Sequence, residues 1–158
     1  MAIKTGTGCS IAIGTVLAAP NGTQAEYEAD TYTTLGNVES IGQFGDLRES
    51  VTFASLSDGR RQKARGIADA GDSVVTYAHT SGDAGHAALK AAFAATSQAT
   101  DEFNFRVQFS DTITTSPTKF YFRARVLGIP VQEVRNDGVL MVQTTLAINT
   151  AVLEVDAV

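Results

Sequence analysis

Residues 103–109 read Phe103-Asn104-Phe105-Arg106-Val107-Gln108-Phe109, and residues 119–127 read Lys119-Phe120-Tyr121-Phe122-Arg123-Ala124-Arg125-Val126-Leu127. Both alternate with period two, the mark of half-buried strands. Phe103, Phe105, Val107 and Phe109 share one side of the first. Phe120, Phe122, Ala124 and Val126 share one side of the second. The polar set Asn104, Arg106, Gln108, Tyr121, Arg123 and Arg125 takes the opposite side and is expected to meet solvent. Turn residues lie between the runs, so they are read as a hairpin with a long connection. A one-residue slip would put four aromatics in water, which fixes the register. A third strand follows at 139–148, with Leu140, Val142, Leu146 and Ile148 on one side and Asp137-Gly138 as the turn before it.

Working outward, weaker strands are expected at 9–17, 33–41, 49–54 and 73–79. Residues 9–19 also have the look of a weak signal peptide, but polar interruptions favour a first strand. One helix is expected at about 84–95. Asp83 is a suitable N-cap, and Gly85, Leu89 and Phe93 fall on one face. Residues 20–34 read as an acidic polar connection, either a solvated edge strand or a loop. The tail 151–158 is apolar with two acids and reads as an edge strand or a neighbour contact. Many strands and one helix give a mainly β fold, a β-sandwich or barrel-like domain with one flanking α-helix. No internal repeat or linker divides residues 1–158, so one domain is expected: an arm at about 1–32, a core at about 33–150 and the tail.

The chain has 158 residues, enough for one self-sufficient core. Its lone Cys9 cannot form an internal disulfide and reads as a small apolar strand residue. The net charge is −5, which argues against a surface wrapped tightly on nucleic acid. An acidic wall along which DNA slides without sticking remains open. No apolar run is long enough to span a bilayer, so no membrane role is expected.

Catalytic chemistry finds little purchase. His79 and His86 are the only histidines, and both read as surface polar residues. No nucleophile elbow, zinc spacing, Walker loop or dinucleotide fingerprint occurs. No enzyme activity, metal or cofactor is expected. The strongest charge feature lies inside the window from Leu35 to Phe93, which reads as strand, long charged Gly-containing loop, strand and capped helix. There Asp58, Arg60, Arg61, Lys63 and Arg65 follow one another within residues 55–70. Such a long polar connection calls for a function, because connections are typically about 4–6 residues. Three readings stand: a nucleic-acid patch, a solvated loop, or a loop that docks on an acidic surface of an identical subunit, as head-to-tail assembly would need.

The order of several segments carries a resemblance. Gly36-Asn37-Val38-Glu39-Ser40-Ile41-Gly42 is followed by Val51 and Phe53, then Leu56-Ser57-Asp58-Gly59 and Lys63-Ala64-Arg65-Gly66. Ala70-Gly71-Asp72-Ser73, Gly85-His86-Ala87-Ala88-Leu89 and the two Phe-rich strands come next. Across residues 33–150 the sequence resembles the major tail tube protein of long-tailed, lambda-like bacteriophages (siphoviruses). The motifs are loose, and their order carries the weight. No appended immunoglobulin-like domain, which some members carry, is seen.

The resemblance implies a structural virion protein whose hexameric rings stack into a hollow helical tube that conducts DNA during ejection. It implies assembly in the host cytoplasm. The implied partners are other copies of the chain, a tape measure protein, a tail terminator and baseplate or tip proteins, with DNA passing unbound through the lumen. Asp58, Arg60, Arg61, Lys63 and Arg65 become an inter-ring contact loop, expected to order only in the tube. Ser50 and Thr52, opposite in facing to Val51 and Phe53, become candidates for the lumen wall. Related secretion-tube proteins and tail-terminator-like rings share these features, and a small-ligand barrel is a further alternative suggested by the aromatic strand faces.

Overall fold

The computed structural model describes residues 3–16, 22–56, 59–98, 100–111 and 115–158. Their elements run β1 (Ser10–Ile13), α1 (Gln24–Ala29), β2 (Thr33–Thr34), β3 (Val38–Ile41), β4 (Leu47–Ala54), β5 (Arg61–Asp69), β6 (Asp72–Ala78), α2 (Ala84–Ala94), β7 (Glu102–Gln108), β8 (Lys119–Gly128), β9 (Met141–Ile148) and β10 (Leu153–Val155). One antiparallel sheet has the order β2-β1-β7-β8-β9-β6-β3, with β10 also on β8. The sheet curls until its ends approach each other: β2 and β3 stand at opposite ends of that order, yet only residues 35–37 separate them, and β3 lies against β1. The result is a partly closed barrel. β4 and β5 stand apart as a separate two-stranded sheet.

The Phe-rich hairpin builds the core. Phe105 lies directly across from Phe122 in register, and their rings stack at 5.8 Å. Val75, Tyr77, Leu146 and Ile148 join them on the concave side. Each such apolar side chain stabilises the fold by about 1.5–3 kcal/mol relative to leaving it in water. Helix α2 packs over β1, β2 and β8. Its N-cap is Asp83, whose carboxylate accepts the His86 N–H at 2.9 Å, and this bond holds the carboxyl below the ordinary range.

Two expectations for this helix change. Phe93 is exposed, and the buried face is Gly85, His86, Leu89 and Ala92. His86 is therefore no surface residue. It lies 4.3 Å from the Tyr77 ring, with Nε2 at 3.1 Å from the Gly36 carbonyl. Gly85 permits the approach, since a Cβ there would sit 2.6 Å from the Thr34 carbonyl oxygen. Leu140, expected in the core, is exposed because β9 starts only at Met141.

The convex side brings a larger correction. Residues 20–34 include a second helix, α1, in place of an edge strand or loop. Its start is fixed by the Thr23-Gln24-Ala25-Glu26 pattern, in which the Glu26 carboxylate accepts the Thr23 N–H at 2.9 Å. The segment lies on β7 and β8 and covers the side expected to meet water. Tyr27 stacks on Tyr121 at 5.4 Å, and the Arg106 guanidinium sits 4.7 Å over the Tyr32 ring. Asn104 is fully buried and donates to Asp30 at 2.7 Å. Asp30 also accepts from the Thr15 hydroxyl at 2.6 Å, the Thr15 N–H at 2.9 Å and the Thr31 N–H at 2.8 Å. Burial would raise its pKa, but these four bonds outweigh burial and hold it below the ordinary value. Burial likewise pushes the Tyr27 and Tyr121 phenols up.

The tail joins the same sheet. Leu153–Val155 pairs with Lys119–Tyr121, and the Val158 N–H donates to the Ser116 carbonyl at 3.0 Å.

Candidate assembly surfaces

The charged stretch that read as a loop is mostly strand. Arg61–Asp69 forms β5 and pairs along its length with β4. The alternation of Arg61, Lys63 and Arg65 with Gln62 and Ala64 is itself period two, and an extended partner was available in Leu47–Ala54. Ser50 lies across from Arg65, Thr52 across from Lys63, and Ala54 across from Arg61. Directly opposed residues share a face. Ser50 and Thr52 therefore lie among the cations, on a polar face that Arg48 extends. The inter-ring and lumen-facing candidates thus occupy one surface. Arg60 precedes β5 and is exposed, while Asp58 lies outside the described residues. Among the described residues, no ion pair involves Arg48, Arg60, Arg61, Lys63 or Arg65.

The opposite face mixes exposed apolar side chains with Glu49, Gln62 and Asp69. Val51 lies across from Ala64, and Leu47 and Phe53 share their side. Phe53 is 65% exposed and Ile67 88%. Leu47, Val51 and Ile67 line one hollow of about 770 Å³. The register shifts between Arg48 and Ser50, and Gly66 makes this irregularity possible. A Cβ on Gly66 would stand 2.8 Å from the Glu49 carbonyl oxygen, so the two backbones could not stay this close.

A second exposed apolar surface lies in the β8–β9 connection. Val131 bridges to Val142, and the Gln132 N–H donates to the Met141 carbonyl at 2.9 Å. The chain continues as a short excursion turning near Arg135 and Gly138, whose N–H reaches the Arg135 carbonyl at 3.4 Å. Residues 130–140 are all exposed. Val131, Val134 and Val139 are each more than 60% exposed, and Leu127 lies at the base of the excursion.

Connectivity sets the two surfaces apart. β5 runs through Ala70 and Gly71 into Asp72, the first residue of β6, and Asp72 pairs with Ala147. The excursion enters β9 at Met141, which pairs with Ala78, the last residue of β6. The surfaces therefore sit at opposite ends of β6 and β9, roughly 20 Å apart along strands that rise about 3.4 Å per residue.

Chemistry of other kinds is sparse. Among the described residues, no group of three His, Cys, Asp or Glu side chains could hold a metal ion. No described helix is long and apolar enough to cross a membrane. Cys9 is a free, half-buried thiol.

The arrangement of one curled sheet with a projecting hairpin has close structural counterparts. A subunit of the SPP1 tail tube superposes with a TM-score of 0.66 at 14% identity, covering 95% of this chain and 77% of that one. The chain shares the fold of that tail tube. A chain from the tail of the empty GTA particle, refined with C6 helical symmetry, gives a TM-score of 0.64 at 15% identity over 97% of this chain and 99% of its own. A chain in the sheath/tube terminator of PVC, an extracellular contractile injection system in its extended state, gives 0.71 at 8% identity, covering 98% of each. No family profile matches the chain, and none of the curated proteins matches it. The mainly β tail tube fold that the resemblance implied is thus the fold observed, with two helices among the described residues where one was expected.

Proposed function

We propose that this chain is a structural subunit of a hollow tail tube, with residues 1–158 acting as one building unit. Copies close into hexameric rings, the rings stack, and the finished tube of the virion conducts DNA during ejection. Assembly takes place in the host cytoplasm around a tape measure protein. A terminator closes one end, and a baseplate or tip closes the other. The observation that carries this reading is the fold shared with the SPP1 tail tube over 95% of the chain. A long hairpin whose strands have no third partner among the described residues supports it, because an isolated two-stranded sheet is marginal in water.

In this reading the polar hairpin face, with Arg60, Arg61, Lys63 and Arg65, meets an acidic surface of a copy in the next ring. Ser50 and Thr52 go with that face. A wall carrying these four cations per subunit would hold DNA instead of letting it slide, so the pair is assigned to the contact between rings in preference to the lumen. The likeness to a chain of the PVC terminator favours one second reading, a ring that ends a tube instead of building its shaft.

Negative-stain microscopy of the purified protein across a concentration series tests the proposal. Long hollow tubes are the expected result. Single rings that never stack would favour the terminator reading, and a strict monomer at every concentration would overturn both.

A further inference from the structure

We propose that the β4–β5 hairpin is a rigid paddle that turns on a glycine hinge, Gly45 on one strand and Gly71 on the other, and that contact with neighbouring copies fixes its angle. The hinge stands on the geometry of a single copy, and its fixing on assembly rests on the tube reading above.

The hairpin is the outer half of one long ribbon, in which β3 runs on into β4 and β5 runs on into β6. In the barrel half the pairing ends where the Gly42 N–H donates to the Val74 carbonyl at 2.7 Å. In the outer half it resumes with Leu47 across from Asp69. Residues 43–46 and 70–73, between the two halves, make no ladder pairs with each other. Each crossing strand is anchored to the barrel beside this break. The Phe44 ring rests on Phe120 at 5.4 Å and on Phe122 at 5.9 Å. The Gly71 carbonyl accepts the Ile148 N–H at 3.1 Å. A glycine sits at each anchor. Gly45, directly after Phe44, has a φ of 130°, and Gly71 has a φ of 67°. Other residues are strained at such angles, and a Cβ on either glycine would meet nothing within 4 Å. Rotation at the break is therefore opposed neither by a side chain there nor by a neighbour.

The outer half turns as a unit. Its ladder runs from Leu47 across Asp69 to Ala54 across Arg61. β4 is exposed at every residue and β5 at all but Gly66, so little packing holds the pair to the barrel. Two light restraints set its resting angle. The Asp69 carboxylate accepts the Gly71 N–H at 2.9 Å, and Ala70 is half-buried against the core. A hollow of about 260 Å³ separates Asp46, Ala68 and Asp69 from Asn149, Thr150 and Ala151, which leaves the base room to move. Hinges of this kind are a few residues at element ends that absorb the backbone change. Ala54 lies seven residues beyond Leu47. At about 3.4 Å per residue the arm is about 24 Å long, so a turn of about 20° carries Ala54 about 8 Å. A paddle on such an arm can find a neighbour's surface after the barrels have met, and the contact then selects one of the angles it samples.

Distances between spin labels, read by pulsed double electron–electron resonance, test this. In a Cys9→Ser background, Ala54→Cys is labelled together with Lys90→Cys on the exposed side of α2, and in a second preparation with Leu127→Cys on β8. A third preparation, Leu47→Cys with Ala54→Cys, reports on the hairpin alone. In free copies both hairpin-to-barrel distributions should be at least about two-fold broader than the one within the hairpin, and in assemblies diluted with unlabelled chain they should narrow to match it. Gly71→Asn keeps a positive φ within reach but restricts it, so it should narrow the free-copy distributions without lowering the melting temperature. Free-copy distributions as narrow as the internal one would overturn the hinge. A broad internal distribution would overturn it in favour of a hairpin that frays. Rings or tubes whose hairpins stay as broad as in free copies would overturn the fixing and leave the tube reading standing. Copies that never assemble would remove the tube reading and the fixing with it, while the free-copy distributions still decide the hinge.

Discussion

Replacing Asp30 with alanine should loosen α1 from the convex side of the sheet and leave both assembly surfaces untouched. Asp30 accepts four hydrogen bonds, from the Thr15 N–H, the Thr15 hydroxyl, the Thr31 N–H and the Asn104 amide. The first three lie near solvent, where water can replace the lost acceptor, so together they contribute about 1 kcal/mol. The Asn104 bond is different. Its side chain is fully buried, and an amide donor left without a partner there costs about 1–3 kcal/mol. The sum is about 2–4 kcal/mol. For a chain of this size each kcal/mol lowers the melting temperature by about 2–4 °C, so a fall of about 4–16 °C is expected at neutral pH.

The pH dependence carries a sign. The folded pKa of Asp30 is lowered, so its stabilisation is present above the ordinary carboxylate value and is lost as pH falls through the lowered folded value. The gap between parent and Asp30→Ala should hold steady from neutral pH down to about pH 4 and narrow below that. Scanning calorimetry over a pH series reads both quantities. A second variant, Asn104→Ala, closes a double-mutant cycle, and the pair should lose about 1 kcal/mol less than the sum of the singles. A melting point within about 1 °C of the parent, or a gap that widens in acid, would refute the role given to this carboxylate.

Three further outcomes follow from the geometry. Reversing Arg61, Lys63 and Arg65 to Glu should abolish tube formation and leave the melting temperature within about 2 °C, checked by microscopy and calorimetry on one preparation. Gly66→Ala should weaken assembly with little change in the core melt, because its Cβ would stand 2.8 Å from the Glu49 carbonyl oxygen in a hairpin separate from the main sheet. Gly85→Ala should destabilise the fold by about 1–3 kcal/mol despite its better helix propensity, because the new methyl would meet the Thr34 and Leu35 backbones at 2.6 and 2.8 Å. A denaturant titration reads that loss.

The barrel was legible where alternation and burial agree. Phe105, Val107, Phe122 and Val126 repeat with period two and face a core, and hydrophobicity records both facts at once. Asp83 announced its helix because a capping carboxylate sits at a fixed offset from the first turn. The convex side of β7 and β8 was misread because Asn104, Arg106 and Tyr121 are polar, and polarity alone does not separate water from a helix carrying Asp30 and Tyr32. The Thr23-x-x-Glu26 capping signal for that helix was present, though hidden by the alternating Glu26, Glu28 and Asp30. The hairpin failed for a related reason. Arg61, Lys63 and Arg65 are spaced as a strand, but Gly59, Gly66 and the density of charge suggested a loop. Reading periodicity by charge as well as by hydropathy would have recovered β5.

The treatment of strand edges links this fold to assembly. Soluble β proteins keep edge strands short, because a long unpaired edge invites other strands. The main sheet obeys this rule: its edge strands β2 and β3 have 2 and 4 residues. The same chain leaves β4 and β5, of 8 and 9 residues, with no third strand among the described residues and with Val51, Phe53 and Ile67 in water. A fold that protects its edges at one place and extends them at another has not merely tolerated exposure there. Gly66 strengthens the point, since it admits an irregularity that would be needless in a loop free to take any path. The exposed hairpin therefore has the character of an interface awaiting its partner. In the proposed tube a neighbouring copy supplies that partner at every subunit except those at its ends, where the proposed terminator or tip takes over.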